Sequence, residues 1–342
     1  MLLEPLSAPV VAAHVPRQLV ASLGAIDLIL CGIDAAGLGY DLFGGSAALL
    51  HRRPGRTQGR RLVRSGRDRG PWNTPRVELD RYRTGSGEPL VLLHGIWESW
   101  HSWSAVLDRL AAEREVLAPT LPDHLGSPPL DAGVALTVET WADAVEAELD
   151  AAGYERPDIA GTSLGGWLAL ELAKRGRART VVGIAPAGMF TRDEWHAFAK
   201  KSRRDHRTIR MLKPLARGLV RVRRGRRLLL ADNCVDPARI PPVEAERLLA
   251  QFAHCDVAAH VAANTGADGT IARIAGLERV SCPVLILHPS GDRLFSREHA
   301  ERFLAELPDA ELRELTGCGH TAMFDDPELV ASEILRFTSA SS

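Results

Sequence analysis

The stretch Gly161-Thr162-Ser163-Leu164-Gly165 decides how the rest of this chain is interpreted. It follows Asp158-Ile159-Ala160, which can form a buried strand, and precedes a segment whose leucines recur at helical spacing. This pattern predicts a sharp turn from a strand into a helix. Glycines on both sides of the serine leave room for such a turn. A serine at a helix N-terminus lies where backbone N–H groups stabilise negative charge. The stretch therefore predicts an exposed nucleophile, with a simple capping serine as the alternative.

Two later strands end in side chains that complete a catalytic set with Ser163. Residues 283–287 form a continuous apolar run that leads to Asp292, and the alternating segment at residues 311–315 leads to His320. Serine, acid and histidine in this order, each after a strand, is the order of a serine triad on a parallel sheet. We expect Ser163 to attack, His320 to take and return its proton, and Asp292 to orient the imidazole.

A loop upstream of the serine supplies candidates for the rest of the site. The apolar run at residues 89–93 ends in His94-Gly95-Ile96-Trp97. We expect the backbone N–H of Ile96 to form an oxyanion hole with the N–H of Leu164. His94 and Trp97 are candidates for the substrate pocket. His94 is expected to anchor the loop by hydrogen bonding, and the bulky Trp97 either narrows the acyl pocket or packs against a neighbouring helix.

Together these motifs resemble the α/β-hydrolase family, in its cap-bearing branch, from about Arg76 to the C-terminus. The loop that begins at His94 is similar to that of epoxide hydrolases, dehalogenases, serine esterases, perhydrolases and C–C bond hydrolases. The resemblance implies an α/β fold: a mostly parallel central sheet, helices on both faces and a helical cap inserted after the sixth strand, residues 180–185. Epoxide hydrolases and haloalkane dehalogenases carry aspartate at the position of Ser163, so the resemblance implies a serine hydrolase.

One loop departs from the family pattern. Relatives commonly carry Pro-Asp-Leu-Pro-Gly-His-Gly after the strand at residues 116–118, whereas this chain has Pro119-Thr120-Leu121-Pro122-Asp123-His124-Leu125. Asp123 and Leu125 replace two glycines, which leaves the conformation of this loop open.

The chain divides into an N-terminal extension, a core and a helical insertion. We expect residues 1–72 to form the extension and an arginine- and glycine-rich linker, residues 73–188 and 278–342 to form the core, and residues 189–277 to form the cap. Aspartates interrupt the apolar stretches of the extension, so a helical hairpin is expected there rather than a transmembrane helix, with membrane-surface association as the alternative. Residues 77–82 and the strand at residue 90 are expected to open the sheet as a hairpin.

Composition limits the possible partners. With 342 residues, 45% of them apolar, the chain can bury a sizeable core, and a net charge of −1 argues against a nucleic-acid partner. Five cysteines without a C-x-x-C pair, and an N-terminus unlike a signal peptide, lead us to expect a cytoplasmic location. No metal or cofactor is expected, and the oligomeric state is open. One group of ligand-type side chains lacks a known zinc spacing: His254, Cys255, Asp256 and His260.

The first half of the predicted cap is strongly basic. Residues 190–230 contain fourteen Lys or Arg against three Asp or Glu. Such a surface attracts an anionic substrate if its side chains face the cleft, or an anionic membrane if they face outward; a solvated helical face is the neutral alternative. Four side chains would have to face the cleft for the first interpretation: Arg203, Arg204, Arg207 and Arg210.

These features predict a cofactor-independent serine hydrolase that cleaves a carboxylic ester or similar small acyl substrate through an acyl-enzyme. A perhydrolase and a C–C bond hydrolase use the same triad and are the alternatives within the enzyme class. A non-catalytic ligand-binding member of the fold is the alternative of another class.

Overall fold

A seven-stranded sheet forms the centre of the part of the chain that the computed structural model describes, residues 80–265 and 273–340. The strands are β1 (Arg81–Thr84), β2 (Pro89–Leu93), β3 (Glu115–Pro119), β4 (Asp158–Thr162), β5 (Thr180–Ile184), β6 (Val284–Pro289) and β7 (Ala310–Leu315). Their order across the sheet is β1-β3-β2-β4-β5-β6-β7. β1 is antiparallel to β3 and all other neighbours are parallel, so the predicted mostly parallel sheet is confirmed.

Ten α-helices lie within the described residues. They are α1 (Leu107–Ala111), α2 (Val138–Ala152), α3 (Leu164–Lys174), α4 (Arg192–Met211), α5 (Lys213–Leu219), α6 (Arg223–Leu229), α7 (Pro242–His254), α8 (Val257–Ala263), α9 (Arg297–Leu304) and α10 (Pro327–Ala340). Helices α4 to α8 lie between β5 and β6, after the strand that the family resemblance makes the sixth and that is the fifth within the described residues. We call these five helices the insertion.

Helices cover both faces of the sheet because the strands are apolar on both sides. In β2, Leu90 and Leu92 belong to one hydrophobic core, and Val91 and Leu93 belong to the other. Successive side chains of a strand point to opposite faces, which explains why the run is continuous rather than alternating. Full burial of each leucine contributes roughly 1.5–3 kcal/mol relative to exposure. One core contains side chains of α2, α3 and α9, and the other contains side chains of α1 and α10.

The hairpin predicted at the start of the sheet is wrong. β1 pairs with β3, with Arg81 opposite Pro119 and Thr84 opposite Val116, so β1 and β2 are not neighbours. The glycine-rich turn at Gly85, with φ +82°, reverses the chain as expected. A turn sequence specifies a change of direction, whereas the pairing partner depends on which edge of the sheet is free. Residues 77–79 of this prediction lie outside the described residues.

Two features determine the conformation of the loop at residues 119–125, which lacks the two glycines of the family pattern. Asp123 adopts φ +64°, a left-handed conformation that aspartate tolerates better than most residues. The backbone of Leu125 is held at both groups by Gln251 of α7: its N–H donates to Oε1 at 2.8 Å, and its carbonyl accepts from Nε2 at 2.6 Å. The insertion therefore fixes the shape of this core loop.

No helix within residues 80–265 and 273–340 combines the length and apolar character that crossing a membrane requires. The extension and linker predicted at residues 1–72 lie outside the described residues. In the described part of the chain, the cysteines are free and buried: Cys234, Cys255, Cys282 and Cys318.

Candidate active site

Ser163 occupies a strained turn between β4 and α3. Its φ of +52° and ψ of −116° lie outside the regions that serine normally populates. The N–H of Ser163 donates to Ile184 O at 3.0 Å, and its carbonyl accepts from Gly166 at 3.0 Å and Ala187 at 2.9 Å. These backbone hydrogen bonds hold the strained conformation in place.

The two glycines of the motif are required by close approach of the backbone. A Cβ on Gly161 would overlap the carbonyl oxygen of Gly165, and a Cβ on Gly165 would overlap the carbonyl oxygen of Leu93 in β2. The turn is thus as tight as the sequence predicts, and it places Ser163 at the carboxyl end of the central strands. The expected exposure of the serine is wrong: Ser163 is buried because the insertion covers it, and it is reached from the cavities that it lines.

His320 and Asp292 meet at the adjoining strand ends. His320 Nδ1 lies 2.8 Å from Asp292 Oδ2, while Asp292 Oδ1 accepts from the N–H groups of Leu294 at 2.7 Å and Phe295 at 3.2 Å. Burial disfavours the ionised carboxylate, but His320 and the two N–H groups hold the pKa of Asp292 below its usual value. Burial likewise disfavours the imidazolium, but Asp292, with smaller contributions from Glu98 and Asp232, raises the pKa of His320 above 6.5.

Ser163 and His320 line the same cavity, which has a volume of about 500 Å³. The hydrogen bonds found between described residues do not include one that joins their side chains. Catalytic hydrogen bonds are often long without substrate and tighten when it binds. The structure therefore brings the three predicted triad residues to one place, with the bond to the acid already formed.

The loop after β2 lies directly beside Ser163. A Cβ on Gly95 would lie 3.3 Å from the Cβ of Ser163. Ile96 and Leu164 line a small cavity together with Ser163, and neither of their N–H groups takes part in the hydrogen bonds found between described residues. The two predicted oxyanion donors are thus next to the serine.

The two pocket candidates of the same loop have different surroundings. His94 is fully buried and does not line the large cavity, so it anchors rather than contacts a ligand. Its Nδ1 hydrogen-bonds Gly95 O at 2.7 Å, its Nε2 accepts from Leu121 N at 2.9 Å, and burial lowers its pKa to about 4. Trp97 lines the large cavity and also packs on the insertion, with its ring centroid 6.0 Å from Phe198.

Glu98 is a site residue to which sequence analysis gave no role. It is buried, lines the large cavity and accepts the N–H of Gly95 at Oε2, 3.0 Å away. Burial raises the pKa of its carboxyl, while its negative charge contributes to the raised pKa of His320. A buried carboxyl that braces the loop and acts on His320 is a candidate positioning residue.

We expect Glu98→Gln to move the acidic limb of the pH–rate profile to lower pH. Only neutral His320 accepts a proton, and loss of the Glu98 charge lowers its pKa. The plateau of kcat/KM should stay within about tenfold, because glutamine keeps an oxygen for Gly95. Glu98→Ala removes that acceptor and should lower the plateau further. An unmoved limb in Glu98→Gln would show that the Glu98 charge does not act on His320.

The walls of the large cavity are mostly apolar, and its basic groups are paired. Four arginines would have to face the cleft to steer an anionic substrate into it, and of these only Arg204 lines the large cavity. The other three are exposed and do not line it: Arg203, Arg207 and Arg210. The four arginines therefore do not act on the cavity as a group. Arg204 pairs with Asp205 at 2.9 Å. The other basic lining side chain, Lys201, pairs with Asp205 and Asp232.

Three side chains of the types that bind metal ions lie close together next to the loop after β2. His124, Cys255 and His260 have ligand atoms within 4.8 Å of one another. Nε2 of His124 accepts from Trp97 N, and Nδ1 of His260 hydrogen-bonds Asp256 O, while Nε2 of His260 has no partner among the described residues. Burial raises the pKa of the Cys255 thiol to about 12, so the thiol is protonated at neutral pH. That the protein needs no metal stays a prediction.

The family model for the alpha/beta hydrolase family matches residues 90–333. This range contains the turn at Ser163, the loop after β2, the insertion, and the segments after β6 and β7 that carry Asp292 and His320. The chain belongs to the α/β-hydrolase family, and it is a hydrolase.

Individual relatives are similar over much of the same region. A pimeloyl-[acyl-carrier protein] methyl ester esterase of Aromatoleum aromaticum is 33% identical over 70% of this chain and 93% of its own length. The epoxide hydrolase EphH of Mycobacterium tuberculosis is 31% identical over 57% of this chain and 92% of its own. The solved structure of a thermophilic esterase from Thermogutta terrifontis has a TM-score of 0.60 and 22% identity, covering 78% of this chain and 94% of that one, which supports the fold.

Proposed function

We propose that this protein is a serine hydrolase that cleaves carboxylic esters through a triad of Ser163, His320 and Asp292. The hydrogen bond of 2.8 Å between His320 and the buried Asp292, at the cavity that Ser163 also lines, carries the proposal. The esterase among the relatives supports an ester substrate. The insertion acts as the cap, since its side chains form much of the cavity wall.

The geometry supports a two-step acyl transfer. Oγ of Ser163 attacks the carbonyl carbon as Nε2 of His320 takes its proton, and the N–H groups of Ile96 and Leu164 bind the oxyanion. His320 returns the proton to the departing alcohol. Water then attacks the acyl-enzyme, giving its proton to His320, which passes it to Ser163 as the acid leaves. Asp292 stabilises the imidazolium in both steps.

Serine chemistry argues against epoxide hydrolysis as the activity. A carboxylate nucleophile that opens an epoxide forms an ester, which water can hydrolyse. Ser163 would form an ether by the same attack, and His320 has no means of cleaving it. The similarity to the epoxide hydrolase EphH therefore supports the family rather than the reaction.

Turnover of p-nitrophenyl acetate by the full chain tests the proposal. We expect steady release of p-nitrophenol with an equal amount of acetate. The perhydrolase alternative requires peracid formation to dominate when peroxide is added, and the C–C hydrolase alternative requires faster cleavage of a vinylogous diketone. Binding of the ester without turnover would support a ligand-binding member of the fold instead.

A further inference from the structure

Two cavities of very different size meet at Ser163. The large one, about 500 Å³, contains His320 in its lining, and the small one, about 20 Å³, does not. Ser163, Ile96 and Phe198 line both, so the serine and the oxyanion loop lie at the junction. Phe198 of α4 is the residue of the insertion that lines both cavities.

The small cavity accommodates one small group. A cavity volume of about 10–15 Å³ is enough to hold a single water molecule. The volume of about 20 Å³ of the small cavity therefore suits a group of methyl size. Its walls among the described residues are mainly apolar and include Ala187, Trp195 and Val261. Two rings in the wall, Phe190 and Phe295, are edge-to-face with centroids 5.0 Å apart. A close-packed wall of this kind widens only at the cost of strain.

Proton transfer determines which part of an ester enters each cavity. Nδ1 of His320 is taken by Asp292, so Nε2 must return the proton to the leaving oxygen. The leaving oxygen therefore lies on the His320 side of Ser163, and the alcohol portion extends into the large cavity. The oxyanion points at Ile96 and Leu164. The acyl substituent has the remaining direction, into the small cavity, which His320 does not line.

We propose that the enzyme is specific for short acyl groups, of about acetyl size, esterified to large apolar alcohols. This inference rests on the serine hydrolase function proposed above. The small cavity sets the length of the acyl chain, with Ala187, Trp195 and Val261 as specificity-determining residues. The large cavity receives the alcohol between Trp97, Leu249 and Phe252. The opposite assignment, a large acyl group with a methyl leaving group, directs the leaving oxygen toward the cavity that His320 does not line.

Two isomeric esters distinguish these assignments. Octyl acetate and methyl nonanoate have the same atoms and nearly the same apolar area, so non-specific hydrophobic binding favours neither. We expect kcat/KM for octyl acetate to be at least about tenfold higher, the discrimination typical of a methylene that does not fit its pocket. Equal values, or a preference for methyl nonanoate, would overturn the inference.

Variants of the two cavities test the same point with one leaving group. We expect Val261→Ala, which enlarges the small cavity, to raise the kcat/KM ratio of p-nitrophenyl butanoate to p-nitrophenyl acetate by about tenfold. The matched control Leu248→Ala enlarges only the large cavity and should leave that ratio unchanged. If Leu248→Ala changes the ratio and Val261→Ala does not, the acyl group occupies the large cavity.

A third variant narrows the small cavity and covers the case in which Val261→Ala does not fold. We expect Ala187→Val to lower the turnover of p-nitrophenyl acetate at least about tenfold more than that of p-nitrophenyl formate. An equal loss for both esters would contradict the assignment. If the enzyme turns over esters but prefers long acyl groups, this inference is wrong and the proposed serine hydrolase function is unaffected. Absence of turnover for every ester, together with an unreactive Ser163, defeats the proposed function itself.

Discussion

We expect Ser163→Ala and His320→Ala each to lower kcat for p-nitrophenyl acetate by about a thousandfold or more. The hydroxyl and the imidazole act as one unit, because neither the attack nor the proton transfer proceeds without the other. The double variant should therefore be no slower than the slower single variant. Initial rates of purified proteins, with circular dichroism to confirm folding, measure the effect.

Ser202→Ala is the matched control for the serine variant. Ser202 is also buried and also lines the large cavity, but it lies on α4 of the insertion and has no part in the proposed chemistry. We expect its activity to stay within a few-fold of the unmodified protein. Substantial esterase activity retained by folded Ser163→Ala would contradict the triad.

Asp292→Asn should lower kcat by about a thousandfold to ten-thousandfold while the protein still folds. An asparagine oxygen can keep the hydrogen bonds from Leu294 and Phe295, but its amide presents N–H to Nδ1 of His320 and favours the wrong tautomer. Asp193→Asn is the control, because Asp193 is exposed in the first turn of α4. If the control variant loses activity and Asp292→Asn does not, the acid is misassigned.

The pH profile gives a second readout for Asp292. The rate should rise as pH increases through the pKa of His320. Burial lowers this pKa, but Asp292, together with Glu98 and Asp232, raises it above 6.5. Without the aspartate charge, that pKa falls, and the residual activity of Asp292→Asn should reach its plateau at lower pH. A loss of activity with no movement of the acidic limb would indicate misfolding rather than a lost charge.

Local patterns predicted the strands and the residues at their ends. β2 and β6 are largely apolar runs and β7 alternates, and parallel strands of one sheet bring their carboxyl ends to the same edge. Chain order alone was therefore enough to place Ser163, Asp292 and His320 together. The helix at Val138–Ala152 also begins at a local signal: Thr137 is of a residue type that commonly caps helices, and its hydroxyl accepts the N–H of Thr140 at 3.2 Å.

Features that depend on distant segments were not predictable. The pairing of β1 with β3 joins segments about thirty residues apart within the core. The sizes of the two cavities depend on how the insertion packs on the core. Phe198 and Trp97 are about a hundred residues apart in sequence but stack at 6.0 Å. No periodicity in either segment indicates that contact, since side-chain packing is set by tertiary structure.

The basic segment illustrates the same limit for charge. Counting charges over residues 190–230 gives a large positive excess, but several of the acids that neutralise it lie outside that window. Lys201 pairs with Asp232, Arg221 with Glu246, and Arg227 with Asp236. The excess in sequence therefore overstates the charge that a substrate meets at the cavity.

Covalent labelling by a fluorophosphonate tests the central claim most directly, because the reagent reacts only with a serine that is activated as a nucleophile. We predict that the folded protein takes up one equivalent, that peptide mapping places the adduct on Ser163, and that His320→Ala labels far more slowly. An unlabelled Ser163 in folded protein that hydrolyses esters, or an adduct on another residue, would contradict the account.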